Sequence, residues 1–154
     1  MLIRRSFLTM TAGTAVTVAG AGSLHAQANA SLPERLALRG YDPVAYFTEA
    51  KPIPGLPEYE YAWDGQRYRF ATARHRDMFK ADPEKYAPQF GGACAMNLAN
   101  GVRRQSDPNN WVISNGRLYV FAGTAGMENF RKDPLNAAES AQANWRTLKD
   151  TATQ

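Results

Sequence analysis

"EYEYAWDGQRYRFATARHRDMFKADPEKY", Glu58 to Tyr86, decides the fold class. Tyr59, Tyr61 and Trp63 alternate with Glu58, Glu60 and Ala62; after Asp64-Gly65, Tyr68 and Phe70 alternate with Arg67 and Arg69. Alternation at period two around an Asp-Gly pair predicts a β-hairpin with one aromatic face, which reads as core. Thr72 then caps a helix running to about Ala81, and Asp82-Pro83 restarts a shorter helical turn through Tyr86. A hairpin feeding directly into helices makes this an α+β chain.

The same vocabulary extends in both directions. Upstream, "GYDPVAYF" places Asp42 as an N-cap and Pro43 at the first helical position of a short helix ending near Thr48. "KPIPGLP", Lys51 to Pro57, is a proline-broken loop. Downstream, Gly91-Gly92 breaks the chain before "ACAMNLANG", which predicts a helix over Ala93–Asn100 stopped by Gly101. "WVISNGRLYVF" predicts a second hairpin, Trp111–Ser114 and Arg117–Phe121 around Asn115-Gly116. Ala125–Lys132 reads as a helix cut by Asp133-Pro134, and Leu135, Ala138, Ala141, Trp145 and Leu148 give the last helix an apolar stripe. The expectation is a single small α+β domain over residues 35–148, with two β-hairpins and four or five short helices. No internal repeat or low-complexity tract is evident.

The first residues read differently. Arg4 and Arg5 precede Ser6-Phe7-Leu8; no charge follows until after Leu24, and "LHAQANA" offers Ala26-Gln27-Ala28 and Ala28-Asn29-Ala30 as small-x-small cleavage sites. This reads as a secretory signal, residues 1–28, to be set aside from the fold. The arginine pair and the glycine- and threonine-diluted apolar run resemble a twin-arginine signal, with an ordinary secretory signal as the alternative. A membrane anchor needs about 20 strongly apolar residues, which Gly13, Gly20 and Gly22 interrupt. The expected location is therefore the periplasm, reached through the twin-arginine export machinery, with no stable membrane span after cleavage.

Composition narrows the function. The formal charge of +4 includes Arg4 and Arg5, so the mature chain carries +2. With no basic cluster beyond Arg103-Arg104, nucleic acid is not an expected partner. One of the two histidines, His25, lies in the signal, leaving His75 and the single cysteine, Cys94. A self-contained four-ligand Cys/His zinc site and a disulfide framework are both excluded on count. The sequence offers no Ser/His/Asp set, no paired carboxylates at a convincing spacing and no phosphate loop.

The block "RYRFATARHRDMFKADPEKYAPQFGGACAMNLANG" resembles a YHS domain. With its flanks "GYDPVAYF" and "WVISNGRLYVF…NF…DP…ANW" it is similar to exported bacterial YHS domain-containing proteins, some of them selenoproteins. The resemblance covers roughly residues 35–148 and implies a YHS-like core. YHS domains are small metal modules found beside copper and heavy-metal transporters, with a Phe-Cys-Ser-x-x-Cys-x-x-x-Phe motif. In this chain Phe70 and Phe79 match its phenylalanines, Ala71 and Thr72 stand for Cys-Ser, and His75 stands for the second cysteine. The resemblance thus implies a metal ion, of the copper or zinc class, with His75 at a ligand position.

Cys94 and His75 are the candidate metal ligands. Beside the Gly91-Gly92 break, at the start of a short helix, Cys94 reads as a thiolate stabilised by free N–H groups or as a small packed residue. A Cys94/Met96 pair is disfavoured, because residues two apart on a helix point to different sides. His75, three and four positions before Met78 and Phe79, reads as a ligand or as a packed histidine with one ring nitrogen hydrogen-bonded. The expectation places Cys94 near a surface cleft, facing the helix that carries His75. Asp42 reads as a helix cap before it reads as part of a site, and Trp63, Trp111 and Trp145 read as core. Three functions follow: metal binding or handling, a non-enzymatic binding module for a small ligand, and a single-thiol redox protein. No residue is assigned a catalytic role.

Replacing Arg4 and Arg5 together by Lys is expected to hold the precursor in the cytoplasm, read by immunoblot of cell fractions. Undiminished delivery of the double variant contradicts twin-arginine routing.

Overall fold

A computed structural model describes residues 35–151; the signal expected over residues 1–28 lies outside them. The fold is α+β, with two separate antiparallel hairpins and six helices among the described residues. In chain order they are α1 (Ala45–Thr48), β1 (Leu56–Trp63), β2 (Gln66–Phe70), α2 (Ala73–Ala81), α3 (Pro83–Tyr86), α4 (Ala95–Ala99), β3 (Asp107–Ser114), β4 (Arg117–Phe121), α5 (Thr124–Lys132) and α6 (Pro134–Leu148). Tight 3-10 turns at Ala37–Gly40 and Gln89–Gly92 precede α1 and α4. No described helix is long and apolar enough to cross a membrane.

The local chemistry explains the elements. Asp64-Gly65 and Asn115-Gly116 adopt positive φ at both positions, as tight hairpin turns require. The Thr72 hydroxyl accepts from His75 N and starts α2, while Asp82 and Asp133 accept from Lys85 N and Asn136 N and start α3 and α6. Proline follows each Asp, where its missing N–H costs nothing.

The chain contains a structural repeat that the sequence reading does not reveal. Both hairpins lead into a helix, an Asp-Pro break and a further helix, with counterparts from the hairpins onward 51 residues apart: Phe70 and Phe121, Asp82-Pro83 and Asp133-Pro134. The agreement reaches irregular features. β1 and β2 pair at Leu56↔Phe70, then shift register to Glu60↔Arg69; β3 and β4 pair at Asp107↔Phe121, then shift to Trp111↔Val120. Asp82 has φ −151°, ψ 74°, and Asp133 has φ −150°, ψ 77°. The Tyr68 and Phe79 rings lie 4.7 Å apart, and those of their counterparts Tyr119 and Phe130 lie 4.8 Å apart. The Phe70–Phe79 and Phe121–Phe130 pairs agree equally well, at 5.2 and 5.1 Å. Identity survives mainly at turns and core positions, too sparsely to read as a repeat.

Each aromatic trio anchors its own hydrophobic cluster: one holds Tyr68, Phe70 and Phe79, the other Tyr119, Phe121, Phe130, Leu98 and Ala141. Full burial of such a ring contributes about 1.5–3 kcal/mol, and the ring pairs add about 0.5–1.5 kcal/mol. A third cluster, with Leu38, Tyr46, Leu118 and Val120, joins the halves, and the Tyr46 hydroxyl donates to Pro108 O at 2.9 Å. Burial raises the Tyr46 pKa, so this hydroxyl keeps its proton.

Three details differ from expectation. The bulge recruits Asp107–Asn110 into β3, so that strand starts four residues before Trp111. Trp63, Trp111 and Trp145 pack against the clusters while remaining only partly buried. Leu135, read as part of the α6 stripe, is 63 % exposed. At about 100° per residue it lies roughly 115° from the middle of the face made by Ala137, Ala138, Ala141, Trp145 and Leu148.

A Cβ at Gly116 would meet no atom within 4 Å, so a substitution there is opposed by its φ of +70° alone. Gly116→Val is expected to cost about 1 kcal/mol or more, measured by urea denaturation. Wild-type stability for this variant contradicts the turn geometry.

Candidate functional site

The polar centre of the first half is a carboxylate. Asp42 is 0 % exposed, and it follows the Ala37–Gly40 turn, in which Leu38 and Arg39 adopt positive φ. Its Oδ1 accepts from Val44 N at 2.9 Å and Ala45 N at 3.4 Å, capping α1. Its Oδ2 accepts from Ala71 N at 2.9 Å, just after β2, and faces His75 Nδ1 at 2.6 Å, on α2. A buried carboxylate is tolerated only with such satisfaction. The capping role read from "GYDP" is present, and the same side chain also orients the histidine.

His75 is 7 % exposed, with its other ring nitrogen turned toward the end of α1. Nε2 lies 3.4 Å from Thr48 Oγ1 and 3.9 Å from Glu49 Oε1. Thr48 and Glu49 are exposed, so this edge of the imidazole marks the rim of the site. A carboxylate on Nδ1 fixes that nitrogen as the proton carrier and leaves Nε2 with the lone pair, the form in which histidine binds metals or accepts a proton.

Cys94 stands elsewhere. It is 1 % exposed and sits among Leu98, Phe121 and Phe130 of the second cluster. This corrects the expectation of a surface cleft and of a first helical turn. Cys94 has extended backbone (φ −62°, ψ 112°) because its N–H is committed to Arg104 O at 2.9 Å and it bridges to Val120. α4 begins only at Ala95 and packs on α5, α6 and β4, whereas α2 packs on β1, β2 and α3. No hydrogen bond links the Cys94 thiol to His75, and no cluster contains both. Among the described residues, no three His, Cys, Asp or Glu side chains form a group spaced to hold a metal ion.

The repeat explains why the two candidates fall apart. Asp42 N donates to Ile53 O and Cys94 N to Arg104 O; Tyr41 bridges to Pro54 and Ala93 to Gln105. Cys94 is therefore the second-half counterpart of Asp42, and the counterpart of His75 is Gly126. The same backbone frame holds a polar Asp–His pair in one half and an apolar Cys–Gly pair in the other. Sequence reasoning missed Thr48 and Glu49 as neighbours of His75. Their signal was the short helix that Asp42 caps, whose end must return to α2.

Compared with family models, with curated proteins and with solved structures, the chain finds no match.

Asp42→Ala would orphan three backbone N–H groups and the imidazole. The expected cost is about 3 kcal/mol or more, from the lost cap and the broken buried pair, measured by chemical denaturation. A loss below about 1 kcal/mol contradicts the satisfied, buried carboxylate.

Proposed function

We propose that this chain is an exported periplasmic protein of the YHS type that binds or handles a metal ion of the copper or zinc class, anchored by His75. The observation that carries the reading is the difference between the halves. A fold that stands on Cys94 and Gly126 in its second half does not need Asp42 and His75 for the same frame, so the polar pair invites a role of its own. The buried carboxylate behind the ring fixes the direction of Nε2, as the outer partners of metal-ligating histidines do. Glu49, on an exposed turn beside Nε2, can supply an oxygen ligand, and the Thr48 hydroxyl lies next to it.

The proposal takes Glu49 rather than Cys94 as the second ligand, because the thiol belongs to an apolar cluster. Two protein ligands leave positions open to water or to a donor from another molecule. That suits a weak, transferable ion more than a structural one. The twin-arginine signal fits this reading, since that route carries chains folded before export. A small-ligand binding module is the second reading, favoured by a cleft of about 390 Å³ lined in part by Phe90, Tyr119, Arg117 and Arg146. A single-thiol redox role draws no support from a sulfur this buried.

Equilibrium dialysis of the exported chain with Zn(II) and Cu(II) tests the metal reading. The wild type is expected to bind one ion, His75→Ala to abolish binding, Glu49→Gln to weaken it about tenfold or more, and Cys94→Ser to leave it unchanged. Wild-type binding no tighter than that of His75→Ala ends the proposal.

A further inference from the structure

The two 3-10 turns meet beside a small polar cavity that the metal reading does not use. It has a volume of about 80 Å³, and its lining includes Arg35, Arg39, Arg104, Gln66 and Ser106. Among the described residues no acidic side chain lines it. Among the described residues none of the three arginines is ion-paired; Arg67, Arg69 and Arg76 are. The local charge is felt nearby: burial first, and Arg35 second, lower the pKa of the neighbouring Arg103 guanidinium. Asp107, whose carboxyl is held low chiefly by Asn109, feels Arg39 only to a small degree.

A second, independent feature lies in the wall. Gln66 is 5 % exposed; its Nε2 donates to Gly91 O at 3.1 Å, while its Oε1 is buried without a partner. A buried carbonyl oxygen left unpaired costs about 1–3 kcal/mol. The arrangement is nonetheless built in: a Cβ on Gly91 would come within 2.7 Å of Gln66 Nε2, and Gly91 holds φ +59°. Flipping the amide would set Oε1 against the Gly91 carbonyl, so the acceptor stays on the other side of the side chain. Ser106 is committed to Gly92 O at 2.7 Å and closes the turn.

We propose that this cavity binds a single small tetrahedral oxyanion of the phosphate or sulfate class. Guanidinium groups match tetrahedral oxyanions through paired N–H donors. The volume equals two to three waters at about 30 Å³ each, which suits one oxyanion and not a larger ligand. Gln66 Oε1 is sealed from the cavity, so the arginines and not this carbonyl hold the ligand. The site is independent of His75.

The test is calorimetric titration of inorganic phosphate into the exported chain at low ionic strength. It is repeated with sulfate and with glycerol phosphate, and on the variants Arg39→Gln/Arg104→Gln and His75→Ala. These arginines are exposed, so the double variant is expected to retain the wild-type circular dichroism spectrum. Phosphate is expected to bind the wild type and His75→Ala alike, about tenfold or more tighter than it binds the arginine variant. Sulfate, of the same shape, is expected to bind as well, and glycerol phosphate less tightly, which separates the free ion from a phosphomonoester. Equal phosphate binding by the arginine variant, or no binding at millimolar phosphate, overturns the site. Failure of sulfate to bind overturns recognition by the guanidinium groups, and a preference for glycerol phosphate overturns the free ion as occupant.

Discussion

Four groups converge on one buried carboxylate. Asp42 receives the N–H groups of Val44, Ala45 and Ala71 and faces the His75 imidazole. Those donors come from the start of the α1 segment, the end of the first hairpin and α2. The carboxylate thus fixes three pieces of chain against one another in the half where a polar side chain takes that place. Its desolvation is offset only because both oxygens are engaged. The imidazole is then a dependent of the fold: its direction follows from Asp42, and its free edge follows from where α1 ends.

The second half shows that the frame itself does not require this chemistry. Cys94 occupies the Asp42 position with the same backbone hydrogen bond, and Gly126 stands where His75 would be. Here the core closes by packing, with Cys94 in one cluster with Leu98, Phe121 and Phe130. The lone thiol is thereby explained as a buried residue of an apolar cluster. Duplicated frames carrying different side chains separate what holds the fold from what is free to do something else.

Most of the fold was legible in the sequence because it is written in short-range signals. Asp64-Gly65 and Asn115-Gly116 set the hairpins, and Asp82-Pro83 and Asp133-Pro134 set the helix breaks. The repeat was not legible, because it lives in backbone geometry: matched bulges and matched dihedral angles need few shared residues. The site was half legible. His75 was singled out as the remaining histidine, and Asp42 as a cap. Their union depends on the Ala37–Gly40 turn, with positive φ at Leu38 and Arg39, residue types that give no warning of it. The pairing of Cys94 with His75 rests on their rarity, on the Gly91-Gly92 break and on the motif position of His75, and none of these carries spatial information.

The central claim is that Asp42 holds His75 as the Nδ1–H tautomer with a bare Nε2. Long-range proton–nitrogen correlation spectra of the histidine ring at about pH 8, above the usual imidazole range, read this directly. The account predicts that His75 carries its proton on Nδ1, and that Asp42→Asn disturbs this preference. A wild-type ring protonated at Nε2, or an even mixture of the two tautomers, would contradict it.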